Sequence, residues 1–253
     1  MDLGLRGKKA IITGATKGIG RRVAELLAAE GCDLAICARN AAEVTEAVAA
    51  LRGFGTNVIG APVNVRDGEA YKAWLVAAAE ELGGCNIFIP NVSAGGGMDG
   101  EKSWVRNFEI DVMGTVRGVE ALTPALRAAG SAAIVMIATT AAVETFMAPM
   151  AYNAMKASLI TYAKQLSQTV FRRGIRVNTV SPGPILIDGG AWDQIKQSQP
   201  DVYNATVAVQ PSGRLGSADE VARCVVFLAS DAASWVTGVN LVVDGGYTKR
   251  VQF

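Results

Sequence analysis

The sequence predicts an α/β fold: one Rossmann-like, doubly wound parallel sheet of about seven strands with helices on both faces. Three observations carry this. Short β-rich runs alternate with longer helical patterns from end to end, which is the signature of βαβ units. Most of those runs are near-continuously apolar, as strands buried on both faces are. The first run also opens into a glycine-rich turn followed at once by an amphipathic helix. At 253 residues, half of them hydrophobic, the chain is within the reach of one α/β core, so residues 1–253 are expected to form a single domain.

In order, the expected strands are 10–13, Asp33–Ala38, 57–62, 86–90, 132–138, 175–180 and Asn240–Val243. Helical patterns fill the intervals: Gly18–Ala29, Ala41–Arg52, 68–82, 102–128, 151–173 and 218–230. No internal repeat, low-complexity tract or Pro/Gly/Ser-rich linker divides the chain. The stretch 182–216 is less regular and rich in proline and glycine, so an excursion over about 184–214 is expected to serve as a functional lid.

Composition removes several function classes. A net charge of +1 offers no basic stripe for nucleic acid. Cys32, Cys37, Cys85 and Cys224 lack metal-ligand spacing, and the chain has no histidine to join them, so no metal is expected. They read as small core residues of a reducing compartment. The N-terminal residues carry no hydrophobic signal segment, and the longest apolar stretch, 132–143, is too short to span a bilayer. A soluble cytoplasmic protein with no membrane partner is the expectation.

Two local patterns carry chemistry. The first strand runs into Thr13-Gly14-Ala15-Thr16-Lys17-Gly18-Ile19-Gly20. Glycines at a strand–helix junction allow a tight turn and close backbone approach to a pyrophosphate, whose charge suits the helix N-terminus. Further on, Tyr152 and Lys156 stand at i and i+4, so a phenol and an ammonium share one helix face. A neighbouring cation favours a phenolate, which is one way enzymes bring acids and bases towards working pH. With histidine absent, this pair is the best acid–base candidate in the sequence.

The ordered motifs resemble those of the short-chain dehydrogenase/reductase family, over essentially the whole chain. They are Thr13–Gly20 with its Gly-x-x-x-Gly-x-Gly spacing, Asn91 after the fourth strand, and Tyr152-x-x-x-Lys156. Arg173-Gly174-Ile175-Arg176-Val177-Asn178 and Ser181-Pro182-Gly183 follow, then Thr237-Gly238 and Val243-Asp244-Gly245-Gly246. The resemblance extends to 3-oxoacyl-acyl-carrier-protein reductases. It implies a nicotinamide cofactor bound by Gly14, Thr16, Lys17, Gly18, Ile19, Gly20, Arg39, Asn40, Asn64, Val65, Asn91, Lys156, Pro182, Gly183 and Ile185. By the same resemblance Tyr152 is the general acid, Lys156 holds the ribose hydroxyls, and hydride passes from the pro-S face. Ala38-Arg39-Asn40 has no acid after the second strand, and Lys17 lies in the glycine loop, so NADPH is expected with NADH less favoured.

Against the family pattern, Thr139 replaces the usual serine thirteen residues before the tyrosine, keeping a hydroxyl on a stiffer side chain. Asp111 stands where the family has a catalytic asparagine, and is expected to pair with Lys156 or to replace a water contact. Pro90 and Ser93 alter the motif around Asn91, and Ile187 replaces a threonine that binds the carboxamide. Substrate contacts are assigned to Ser93, Val143, Glu144, Tyr152 and Trp192, within walls at 94–97, 141–147 (ending on Met147) and the excursion. These walls are mostly apolar, which favours a hydrophobic ketone or a 3-oxoacyl thioester. The expected function is therefore reversible NADPH-dependent carbonyl reduction to a secondary alcohol, and the family resemblance implies a homotetramer or homodimer. The alternative is a cofactor-binding protein with a sensing or scaffolding role. Enoyl reduction is disfavoured, since that branch places six residues between tyrosine and lysine.

Overall fold

In the computed structural model, residues 2–146 and 148–251 are described. From the N-terminus the elements are β1 (Lys9–Thr13), α1 (Gly18–Ala29), β2 (Asp33–Ala38), α2 (Ala41–Arg52), β3 (Val58–Pro62), α3 (Gly68–Glu81) and β4 (Ile87–Pro90). Next come α4 (Glu101–Asn107), a π-helical segment (Phe108–Met113), α5 (Gly114–Ala128), β5 (Ala132–Ile137), α6 (Ala151–Val170) and β6 (Ile175–Pro182). The chain ends with β7 (Ile185–Leu186), α7 (Ala191–Ser198), α8 (Pro200–Val209), β8 (Gly216–Ser217), α9 (Ala218–Ala229) and β9 (Asn240–Val243).

Seven strands form one sheet in the order β3-β2-β1-β4-β5-β6-β9, every neighbouring pair parallel. Their apolar runs follow from this position. β5 and β6 are buried along their whole length, with Ala132 opposite Ile175 and Ile137 opposite Val180. Each sheet face has its own core. One, around Val23, Leu27, Ile36, Val135 and Val225, seats α1, α2 and α9; the other, around Tyr71, Leu75, Phe88, Leu122 and Val177, seats α3, α5 and α6. Cys32, Cys37 and Cys85 are buried, and burial pushes each thiol up to about 12.

Strand order reverses between β1 and β4, opening a crevice beyond their carboxyl ends, where open α/β sheets bind ligands. The glycine loop leaves β1 and Asn91 leaves β4, so both border that crevice.

Two expectations need refining. The helical pattern over 102–128 is one continuous path with a π segment at Phe108–Met113, a wider turn that side-chain periodicity does not encode. The irregular stretch after β6 holds α7, α8 and a two-stranded sheet in which β7 pairs with β8. Among the described residues, no helix is long and apolar enough to cross a membrane.

Candidate active site

The glycine loop is shaped by close contact. Gly14 and Gly18 have φ of 68° and 60°, a region that favours glycine. A Cβ on Gly20 would lie 2.3 Å from Asn91 Nδ2 and 2.4 Å from Gly14 O, so no other residue fits. Asn91 clamps the loop: its Nδ2 donates to Thr13 O at 3.2 Å and Gly14 O at 3.0 Å, while its backbone N–H donates to Thr13 Oγ1. α1 begins with no side-chain cap and no acid in its first turn. Its orphan N–H groups and positive dipole end are thus left for an anion.

A cavity of about 820 Å³ continues from this loop. The predicted residues Gly14, Thr16, Lys17, Arg39, Asn40, Asn64, Val65, Asn91 and Ser93 all line it. Gly18, Ile19 and Gly20 belong to the first turn of α1. The Ile187 side chain packs over Gly18, 3.5 Å from where a Cβ would stand. Pro182 closes β6, Gly183 N donates to Val243 O at 3.0 Å, and Ile185 opens β7. Asn64 Oδ1 accepts from Arg66 N at 3.1 Å, and Ser93 Oγ accepts from Gly95 N at 3.1 Å, so both oxygens already serve local turns.

Two charged cavity residues, Glu43 and Arg106, escaped the sequence reading. Glu43, from the first turn of α2, accepts from Thr16 Oγ1 at 3.0 Å. Its spacing from Asn40 looks like a helix cap, which hides its reach to the glycine loop. Arg106, from α4, donates from Nη2 to Gly96 O at 3.3 Å, and its Nε is buried without a partner among the described residues. A basic residue in an ordinary helical pattern gave no signal for this.

At the other end of the crevice, α6 presents Tyr152 and Lys156 on one face. Lys156 Nζ lies 6.0 Å from the Tyr152 ring centroid and donates to Ile137 O, at the end of β5, at 2.8 Å. Asp111, on the π segment, brings Oδ1 to 3.1 Å from Lys156 Nζ, and the two side chains are 0% and 3% exposed. This contact pairs charges without the alignment of a hydrogen bond. Asp111 Oδ2 accepts from Ala94 N at 3.1 Å, and Ala94 lines the cavity. One carboxylate thus connects the cavity wall to the lysine beneath Tyr152. Of the two arrangements expected of Asp111, the direct pair is the one formed.

Thr139 follows β5 and caps a short 3-10 turn, its Oγ1 accepting from Ala141 N at 3.3 Å. That use leaves its O–H free to donate. Thr140, beside it, is buried. Val143 and Glu144 line a second cavity of about 660 Å³ with Phe146, Asn153, Ala154 and Ala157, apart from the face that carries Tyr152. Trp192 packs against Phe146, ring centroids 6.1 Å apart. Met147, at the end of the expected wall, lies outside the described residues.

The sequence pattern of the family described as Enoyl-(Acyl carrier protein) reductase matches residues 14–248. The chain is 37% identical to isoepoxydon dehydrogenase of Aspergillus clavatus, over 98% of each chain. With the 3-oxoacyl-[acyl-carrier-protein] reductase of Vibrio cholerae it shares 33% identity, over 96% of this chain and 98% of the other. The crystal structure of L-sorbose reductase from Gluconobacter frateurii, complexed with NADPH and L-sorbose, superposes with a TM-score of 0.91. That match is 32% identical and covers 99% of this chain and 100% of the other.

Proposed function

The chain belongs to the short-chain dehydrogenase/reductase family, and on that premise we propose that it reduces a ketone reversibly to a secondary alcohol with NADPH, Tyr152 serving as general acid and base. That it is an NAD(P)-dependent oxidoreductase acting on CH–OH and C=O groups follows from the family. The observation supporting the finer reading is the Asp111 carboxylate, which ties the cavity wall at Ala94 to Lys156 beneath Tyr152. That link supports reading the cofactor cavity and the acid–base pair as parts of one site.

The residues present fit a dinucleotide. The Gly14–Gly20 cradle has no room for a Cβ at Gly20, and the uncapped start of α1 suits a pyrophosphate. Arg39 and Lys17 suit a 2′-phosphate. When bound, the cofactor supplies a hydride to the carbonyl carbon. Tyr152 donates its hydroxyl proton to the carbonyl oxygen, and Thr139 donates a hydrogen bond to the same oxygen. Lys156 orients Tyr152 and holds ribose hydroxyls, itself fixed by Ile137 O and Asp111. Positioning and polarisation by these groups provide the catalysis.

Ile187, Phe146 and Trp192 offer apolar surface to a substrate. The relatives are named for isoepoxydon, 3-oxoacyl-[acyl-carrier-protein] and L-sorbose. The proposed substrate is a ketone with an apolar frame, the 3-oxoacyl thioester being the second choice. Three residues between Tyr152 and Lys156 argue for C=O rather than enoyl reduction. A homotetramer or homodimer is proposed, with the exposed Trp104, Val105 and Phe108 on one face and Trp235 and Val239 on another as candidate contacts. Buried, protonated thiols suit a cytoplasmic setting.

NADPH consumption across a panel of acetoacetyl thioesters, cyclic ketones, aromatic ketones and ketoses tests the proposal. Turnover with at least one ketone is expected. Tight NADPH binding with no turnover on any of them would favour the sensing or scaffolding alternative.

A further inference from the structure

We propose that Glu43 is a coenzyme-selecting residue, an acid placed against the 2′ position of the adenosine ribose that restrains the preference for NADPH and admits NADH. The inference rests on the reading that the 820 Å³ cavity holds a nicotinamide dinucleotide. In such folds the 2′ position lies between the glycine loop and the end of the second strand, where an acid accepts from a ribose hydroxyl and a cation receives a phosphate. The end of β2 offers Ala38, Arg39 and Asn40, with no acid among them. One turn later the structure supplies one.

Asn40 caps α2, its Oδ1 accepting from Ala42 N at 3.0 Å and Glu43 N at 3.3 Å. A glutamate three residues after a cap ordinarily reaches back to the cap's own N–H. Glu43 instead crosses to the glycine loop, where Oε2 accepts from Thr16 Oγ1 at 3.0 Å and Oε1 stands 3.9 Å from Lys17 Nζ. The Glu43 side chain is 41% exposed, so it is held in place by Thr16 while its charge still faces the cavity. Lys17 and Arg39 attract a phosphate there. Glu43 repels the same phosphate, offsets Lys17, and offers an acceptor to a 2′-hydroxyl. Coenzyme choice is then the balance of two cations against one carboxylate.

The test is equilibrium binding of NADPH and of NADH, read by fluorescence, to the wild type, Glu43→Gln and Glu43→Ala. Glutamine keeps an acceptor for Thr16 and removes only the charge. The expected result is a rise of about tenfold in NADPH affinity for Glu43→Gln, with NADH affinity unchanged or lower, and a smaller gain at high salt. Equal changes for both coenzymes, or none, in Glu43→Gln would overturn the proposal. In that case Glu43→Ala weakening both alike would assign Glu43 to anchoring the loop. A wild type that binds neither dinucleotide would overturn the cofactor reading itself, and this inference with it.

Discussion

Lys156 and Asp111 meet at 3.1 Å in the interior, whereas Lys17 and Glu43 stand 3.9 Å apart at the surface, at the other end of the same crevice. Both are acid–cation pairs beside the proposed cofactor cavity. Their surroundings give them different work. In the low-dielectric interior a charge must be paired or it is costly, so the buried pair fixes geometry: β5, the π segment and α6 are all tied to one ammonium. In solvent the attraction is weak and screened, so the exposed pair fixes little. It can answer to what binds beside it. Burial separates a pair suited to positioning from a pair suited to the proposed discrimination.

The widest separation between the two ends is expected in stability. Asp111→Ala leaves the buried Lys156 ammonium on Ile137 O without its carboxylate and should cost about 3–5 kcal/mol, measured by urea unfolding at pH 7. Glu43→Ala should cost less than about 1 kcal/mol by the same measurement. Equal losses would erase the distinction.

Next in size is coenzyme discrimination at the exposed end. Arg39→Ala should lower kcat/KM for NADPH about tenfold while leaving that for NADH nearly unchanged. Comparable kcat/KM values for the two coenzymes in the wild type, unaffected by the substitution, would contradict the assignment.

Asp111→Asn keeps the shape of the buried contact and removes its charge. Ketone reduction should persist in this variant, with a pH–rate profile that differs from that of the wild type. An unchanged profile would confine Asp111 to packing.

The smallest effect belongs to a third pair, exposed like Lys17–Glu43 but fixed by geometry. Arg214 donates to both Glu220 oxygens, at 3.0 and 2.7 Å, and Ser217 donates to Oε2 from N and Oγ. The Arg214 hydrogen bonds, and then those of Ser217, lower the Glu220 pKa from 4.5 to about 2. A depressed carboxylate contributes stability above its unfolded pKa and loses it as pH falls through the folded value. The drop in Tm between pH 4.5 and 2 should thus be slightly shallower in Glu220→Gln. Ser217→Ala, which removes the cap of α9, should cost about 1 kcal/mol at neutral pH.

The sheet was legible because its signals are local: apolar runs such as Asp33–Ala38 and a glycine turn ahead of α1. Tyr152 and Lys156 were legible for the same reason, since helical spacing alone puts them on one face. Glu43 was not. Its spacing from Asn40 is that of a cap, and only the tertiary approach of α2 to the glycine loop turns it towards Thr16. The direct Asp111–Lys156 pair was one of two arrangements open to the sequence, because the π segment that aims Asp111 leaves no trace in side-chain periodicity. Arg106 was hidden likewise, its contact with Gly96 joining a helix to a loop ten residues away.

Single-turnover reduction of a ketone from the panel by Tyr152→Phe, with NADPH binding measured on the same preparation, tests the central claim most directly. The reductive step should slow by about 10²–10⁴ with NADPH affinity retained, since Tyr152 is not among the residues that line the proposed cofactor cavity. A variant that binds NADPH and keeps most of the turnover would contradict it.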